Sequence, residues 1–120
     1  MSGSARLVSA TFVALGTLHF LRPGWYEAIV PDYLPAHREL VRASGAAEIA
    51  GGAGVAFAPA RRAAGLWLIA TLVAIFPANV HMALHPERYA RFPPILLWAR
   101  LPLQAAIIAW VNAATRPRRA

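Results

Sequence analysis

Four apolar stretches, each about as long as a membrane-crossing helix, limit what this chain can fold into. Such a helix needs roughly 17–25 mostly apolar residues to cross a hydrocarbon core of about 30 Å. The sequence predicts helices at residues 5–21, 40–58, 63–84 and 94–112. Lipid offers the backbone no hydrogen bonds, so segments of this kind are expected to be continuous helices. We therefore predict an all-α fold, an integral membrane bundle of four transmembrane helices.

The composition favours lipid over water as the solvent of this chain. Hydrophobic residues make up 58% of the 120 residues and charged residues 14%, against about 45–50% and about 25% in soluble domains. A domain of this length has too much surface for its volume to hide so much apolar material from water. The length fits a single domain, and no repeat or linker divides residues 1–120.

The net charge of +7 comes from twelve arginines. Most of them flank the apolar stretches instead of forming one basic face, which favours a lipid bilayer and excludes nucleic acid as the partner. With four spans, the N-terminus, the 59–62 connection and the C-terminal tail share one side. That side has no acidic residue, and its arginines are Arg6, Arg61, Arg62, Arg116, Arg118 and Arg119. The opposite loops hold five arginines, which are Arg22, Arg38, Arg42, Arg88 and Arg91, so the count is six against five. Because arginine is enriched on the cytoplasmic side, its density in the very short segments predicts that both termini are cytoplasmic.

Glu48 is the one carboxylate inside an apolar stretch, "ASGAAEIAGGAGVAFAP". Steps of four residues along this stretch trace two ridges of mostly small residues, which mark close helix contacts in membranes. The ridges are Ser44–Glu48–Gly52–Ala56 and Ala46–Ala50–Gly54–Ala58. We expect Glu48 to point into the bundle, where it is either protonated or paired, with Arg100 as the expected partner.

Polar residues from all four predicted helices are expected at one level, in the outer half of the bundle. They are His19, Glu48, Asn79, Arg100 and Gln104. Residues 100 and 104 are one turn apart and share a helix face. Ionisable groups inside a membrane are candidate functional residues, so these five form a candidate ligand-binding site. The structural alternative is a buried Glu48–Arg100 pair, with the two amides as contacts between helices.

Two prolines interrupt the third and fourth helices next to this polar layer. Pro77 and Pro102 free the carbonyl groups of Val73 and Trp98, so a kink is expected in each helix. Bends on two helices beside a polar layer would open a cavity there. The structural alternative is that neighbouring groups satisfy the freed carbonyls locally.

The sequence identifies no catalytic residue and no metal site. His81 and His85 have the one-turn spacing of a metal-binding pair, but no further ligands accompany them. The chain has no cysteine, which excludes thiolate ligands and thiol redox chemistry of its own. The sequence contains no phosphate-binding glycine loop and no nucleophile–base arrangement, so no reaction can be predicted from its motifs.

Four segments resemble, in order, the small DoxX-like membrane proteins. They are "GTLHFLRPGWYEAIVPDYLP", "SGAAEIAGG", "FPANVHMAL" and "LLWARLPLQAAIIAW". The resemblance implies a four-helix protein of the bacterial inner membrane. It also implies motif residues at His19, Glu48, Pro77, Asn79, Arg100 and Gln104. Members of that group are linked to quinone-coupled sulfur oxidation, to thiol and oxidative-stress systems, and to membrane-protein assembly.

Two functional hypotheses follow. In the first, the polar layer binds a quinone-like or other small amphipathic molecule, and the protein is a membrane subunit for a redox partner. In the second, the protein is a non-catalytic assembly or interaction partner, whose polar layer only specifies packing. Small-residue ridges also suit self-association, so a homo-oligomer is a third kind of partner to consider.

Overall fold

The computed structural model of the protein describes residues 1–31, 33–89 and 92–117, and every regular element in these residues is helical. The helices are α1 (Gly3–Leu21), α2 (Pro23–Glu27), α3 (His37–Ala56), α4 (Arg61–Leu84) and α5 (Pro94–Thr115), with 3₁₀ turns at Ala58–Ala60 and Pro86–Tyr89. The predicted all-α class is confirmed. Arg118 and Arg119, two of the arginines on which the predicted orientation depends, lie outside the described residues.

The four long helices lie where the apolar stretches predicted them, with every end within three residues of its predicted position. Proline sets two of the helix starts, because its fixed φ suits the first turn and its missing N–H is not needed there. Pro23 begins α2 and Pro94 begins α5. The residue before α3, Ala36, has a left-handed backbone (φ 56°), and the chain turns there into the helix.

In the part of the chain that the structure describes, three helices are long and apolar enough to cross a membrane. They are Gly3–Leu21, Ala58–Leu84 and Pro94–Thr115, with mean hydropathies of 1.3, 1.9 and 1.5. The second of these counts the preceding 3₁₀ turn together with α4. Helix α3 is not among them, because it carries Arg38, Glu39, Arg42 and Glu48 and is rich in glycine. The structure therefore has three helices able to span a membrane where the sequence analysis predicted four.

The long helices pack as antiparallel neighbours in the order α1, α3, α4, α5, and α5 also contacts α1. One end of the bundle, called the terminal end, contains Gly3, Ala56, Arg61 and Thr115. The opposite end, called the loop end, contains Leu21, His37, Leu84 and Pro94. Tryptophan side chains tie neighbouring helices together, because the indole N–H of Trp67 donates to the carbonyl oxygen of Ala47 (2.9 Å) and that of Trp110 donates to Ser4 Oγ (3.0 Å).

Buried residues recur at intervals of three or four along α1 and α3, which is the spacing of a continuous helix–helix seam. On α1 they are Ala5, Val8, Phe12, Gly16 and His19, and on α3 the seam residues are Val41, Gly45, Glu48, Gly52 and Val55. Of the predicted ridge Ala46–Ala50–Gly54–Ala58, Gly54 packs against α4, since a Cβ atom on it would lie 2.7 Å from Cβ of Ala64, but the three alanines are exposed. Four residues turn a helix by about 400°, so a ridge built on steps of four drifts off the buried face.

Glycines let α1 and α3 approach until their backbones touch. A Cβ atom on Gly16 would lie 2.6 Å from the carbonyl oxygen of Gly45, and one on Gly45 would lie 2.7 Å from Cβ of His19. Further along the seam, Ser9 Oγ donates a hydrogen bond of 2.8 Å to the carbonyl oxygen of Gly52. The close approach therefore extends over most of both helices.

We predict that Gly16→Ala destabilises the protein by about 1–3 kcal/mol, because the new methyl group meets a backbone oxygen that cannot move aside. The matched control is Gly3→Ala on the same helix, where a Cβ would meet nothing within 4 Å. The measurement is the free energy of unfolding in mixed detergent micelles, followed by circular dichroism. Equal stability of the two variants would contradict the close α1–α3 contact.

Candidate ligand-binding site

A cavity of about 340 Å³ lies at the loop end of the bundle. Aliphatic residues of α1, α3 and α4, and of the segment that joins α1 to α3, form most of its wall. The polar residues in the wall are His19, Tyr26, Ser44, Glu48, Asn79 and Arg100. A largely apolar wall with a few polar groups is the usual composition of a small-molecule site.

His19 faces Glu48 across the α1–α3 seam. Its Nδ1 atom lies 2.7 Å from the carbonyl oxygen of Leu15 and 3.5 Å from Oε2 of Glu48. A carbonyl oxygen only accepts hydrogen bonds, so Nδ1 carries the proton and donates it to Leu15. The contact with Glu48 is too long for a good hydrogen bond. Accordingly, Oε2 of Glu48 has no hydrogen-bond partner among the described residues.

The burial of Glu48 follows from its place in the seam. Its neighbours in the seam, Gly45 and Gly52, have no side chains, so α1 comes close enough to cover the carboxylate. Glu48 is only 6% exposed. The sequence-based expectation that Glu48 points into the bundle is confirmed.

The expected pairing of Glu48 with Arg100 is wrong. Among the described residues, no carboxylate oxygen lies within 4.0 Å of an Arg100 nitrogen, and the ion pairs found are His19–Glu48 and Arg38–Glu27. The reason is geometric, because α3 packs against α1 and α4, whereas α5 packs against α4 and α1. Helices α3 and α5 therefore lie diagonally opposite each other in the bundle. Glu48 and Arg100 do not pair for this reason, although the sequence places them at similar depths.

Asn79 and Arg100 bring hydrogen-bond donors to the cavity from α4 and α5. Asn79 is buried and Arg100 is half-buried. The Nδ2 atom of Asn79 and the Nη1 atom of Arg100 are each shielded from solvent and have no hydrogen-bond partner in the described part of the chain. Buried donors in proteins are nearly always satisfied, so such atoms call for an explanation. Each of the four long helices thus contributes one of the predicted polar residues to a single cavity.

Gln104 lies apart from this group and does not line the cavity. Its Nε2 atom donates a hydrogen bond of 2.6 Å to the carbonyl oxygen of Leu72 on α4. Gln104 is 3% exposed and Arg100 lies one turn before it on the same helix. The side chain of Gln104 is therefore a contact between α4 and α5.

Neither proline ends its helix, since α4 continues through Pro77 and α5 through Pro102. The amide of Gln104 reaches Leu72, next to Val73, whose carbonyl the sequence predicted to be free. Residues on both sides of Pro77, among them Ile75 and Ala78, line the cavity. The proline on α4 therefore lies beside the cavity, as expected from the sequence.

Two wall residues, Tyr26 and Ser44, were missing from the sequence-based site. Tyr26 stacks on the ring of His19, with 3.7 Å between ring centroids and 20° between planes. Tyr26 could not be placed from the sequence, because its segment lies outside the apolar stretches and gives no helical register. Ser44 lies one turn before Glu48, and this spacing alone was a usable signal.

A second group of rings lies near the end of α4. The ring of His81 is 4.3 Å from that of His85 and 5.3 Å from that of Tyr33, between centroids. His85 Nδ1 donates to the carbonyl oxygen of His81 at 3.0 Å. No group of three or more histidine, aspartate or glutamate residues that could hold a metal ion occurs in residues 1–31, 33–89 and 92–117. These rings are described best as aromatic packing.

The fold and the cavity define a class: an all-helical protein with three helices able to cross a membrane and a polar cavity at one end. Residues 8–115 match the family described as "Domain of unknown function (DUF8561)", and the chain belongs to that family. No curated protein and no solved structure matches the chain.

The hydroxyl of Tyr26 reports on the charge of Glu48. Partial burial, and then the negative charge of Glu48, raise the pKa of Tyr26 above its ordinary value. We predict that Glu48→Gln moves the Tyr26 titration to lower pH, because the ionised phenolate no longer faces a carboxylate. Ultraviolet absorbance of tyrosinate during a pH titration measures this, and Tyr26→Phe assigns the signal. Glu39→Gln, an exposed change on the same helix, is the control. An unchanged titration in Glu48→Gln would show that the carboxylate does not act on Tyr26.

Proposed function

We propose that the protein is a DoxX-like integral membrane protein of the bacterial inner membrane, with four membrane-crossing helices and both termini in the cytoplasm. Its cavity, in the outer half of the bundle, binds a quinone-like or other small amphipathic molecule and serves a membrane redox partner.

The position of α3 supports a fourth crossing. The helix has 20 residues, or about 30 Å at 1.5 Å per residue, which equals the thickness of a hydrocarbon core. Arg38, Glu39 and Arg42 lie within its first two turns, at one boundary of the core, where long arginine side chains can extend to the headgroups. Beyond them Glu48 is the only charged residue, and it is buried against α1. The charged residues that distinguish α3 from the other long helices are thus either near the start of the helix or covered by protein.

The distribution of charge supports the proposed orientation. The arginine-rich terminal segments and the 59–62 connection contain no acidic residue. In the described part of the chain, Glu27, Glu39 and Glu87 all lie toward the loop end. Short arginine-rich segments are typical of the cytoplasmic side, so the loop end and its cavity face the periplasm.

One observation carries the ligand proposal: three residues that line a single, largely apolar cavity each have a buried polar atom without a hydrogen-bond partner among the described residues. Asn79 Nδ2 and Arg100 Nη1 are donors, and Glu48 Oε2 is an acceptor when ionised. A carbonyl oxygen of a quinone-like head accepts two hydrogen bonds, which suits the two donors. Glu48 or His19 would hold the proton of a hydroxyl form of the same ligand. The volume of about 340 Å³ is within the usual range for small-molecule pockets, roughly 300–1,000 Å³.

A role in packing alone agrees less well with these atoms. Polar groups that specify packing are expected to bond to one another or to the backbone across the interface. Gln104 does this through its Nε2 atom, which donates to Leu72, although its Oε1 atom has no partner among the described residues. By contrast, Glu48 and Arg100 form no ion pair with each other, although both line the same cavity.

The test is mass spectrometry of the small molecules that co-purify with the protein extracted in native lipid. We expect about one equivalent of an amphipathic molecule with the wild type and at least a tenfold loss in Glu48→Gln and in Arg100→Gln, because each change removes a polar group of the cavity. Glu39→Gln is the matched control, since Glu39 lies on α3 outside the cavity. Circular dichroism and size-exclusion elution show whether each variant is folded.

The opposite outcome would assign a different function. If all folded samples carry bulk lipid alone and retain the same protein partner, the polar layer specifies packing and the protein is an assembly or interaction partner. In that case, the search for function moves to the retained protein.

A further inference from the structure

A second cavity, of about 520 Å³, lies at the terminal end of the bundle, at the other extreme from the proposed ligand site. Its wall comes from the start of α1, the turn before α4, the start of α4 and the end of α5. Among the described residues, the charged side chains in the wall are those of Arg61, Arg62 and Arg116, and none is acidic. We call this cavity the arginine cleft.

Two of these arginines are fixed by hydrogen bonds that use only part of their donor capacity. Arg61 Nε donates to the carbonyl oxygen of Val55 at 2.8 Å. Arg62 Nη1 donates to Oδ1 of Asn112 at 2.9 Å. A guanidinium group has five N–H donors, so each side chain keeps several of them for another acceptor. Arg116 has no hydrogen bond of its own among those found in the described residues and is exposed.

The backbone at this end does not neutralise the arginines. Helices α1 and α4 begin here without an acidic residue in the first turn, and no side chain caps α4. Helices α3 and α5 end here, so their negative dipole ends offset the positive ends of the other two. The net field is therefore set by the guanidinium charges. The nearest described carboxylate along α3 is Glu48, two turns before the end of that helix.

We propose that the arginine cleft binds a phosphate group, either in the headgroup of an anionic phospholipid or in a soluble phosphate ester. Fixed guanidinium groups match the oxygens of a phosphate with paired hydrogen bonds. In the orientation proposed above, the cleft lies at the inner membrane boundary, where anionic headgroups concentrate. The remaining wall includes small or apolar residues, which leave room beside the charged groups. Among them are Ala5, Ala58, Pro59 and Ala114. This site is independent of the cavity at the loop end.

The test uses purified full-length protein in neutral maltoside micelles, titrated separately with dioctanoyl phosphatidylglycerol and with inorganic phosphate. Calorimetry and native mass spectrometry give affinity and stoichiometry. We expect saturable binding of one equivalent to the wild type and a loss of about tenfold or more in the double variant Arg61→Gln, Arg62→Gln, because two phosphate-facing charges are removed. The control is Arg38→Gln, Arg42→Gln, which removes the same charge from the loop end and is expected to bind as the wild type does.

The outcomes separate the sources of the phosphate group. Binding of phosphatidylglycerol alone assigns the site to lipid, and competition by inorganic phosphate assigns it to soluble phosphates. Equal losses in both double variants, or no saturable binding to the wild type, would overturn the proposal. If the Arg61–Arg62 variant does not fold, Arg116→Gln takes its place, because the exposed Arg116 side chain makes no hydrogen bond to another helix in the described residues. A several-fold loss is then expected, and unchanged affinity would overturn the proposal.

Discussion

The contact between α1 and α3 is the constraint on which the rest of the structure depends. Gly16 and Gly45 bring the two backbones together, and Glu48 lies in the same seam one turn beyond Gly45. A carboxylate in an apolar bundle is tolerated only where protein surrounds it. Close packing supplies that cover, and it also places His19 within 3.5 Å of Glu48. The same glycine-containing seam therefore produces both the contact between the helices and the buried part of the candidate site.

The two cavities differ in the kind of polarity they offer. At the loop end, the described wall has one acidic side chain, Glu48, and the donors Asn79 and Arg100 do not pair with it. At the terminal end, the described part of the cleft has three arginines and no acidic side chain. The first arrangement suits a neutral molecule with a polar head and the second suits an anion. The two cavities are kept apart by the length of the helices, since the ends of a 20-residue helix lie about 30 Å apart.

The sequence predicted the helices and most of the polar residues, but not their lateral arrangement. Helix length and proline positions are local properties, so Pro94 and the apolar runs locate the elements. A polar residue in such a run is rare and therefore conspicuous, which is why Glu48 and Asn79 could be found. The direction in which a helix faces depends on which neighbours it packs against. For that reason the pairing of Glu48 with Arg100 failed, and Tyr26, which lies in an irregular segment, was not found.

The seam has a consequence for how the chain enters a bilayer. Helix α3 by itself carries too much charge and glycine to be retained by lipid on composition, whereas α1 before it is apolar enough to cross a membrane. Glycine contacts pair the two helices as an antiparallel hairpin in which Glu48 faces protein. In the four-crossing arrangement proposed above, the insertion of α3 is therefore coupled to that of α1, because α1 supplies the protein surface that covers Glu48.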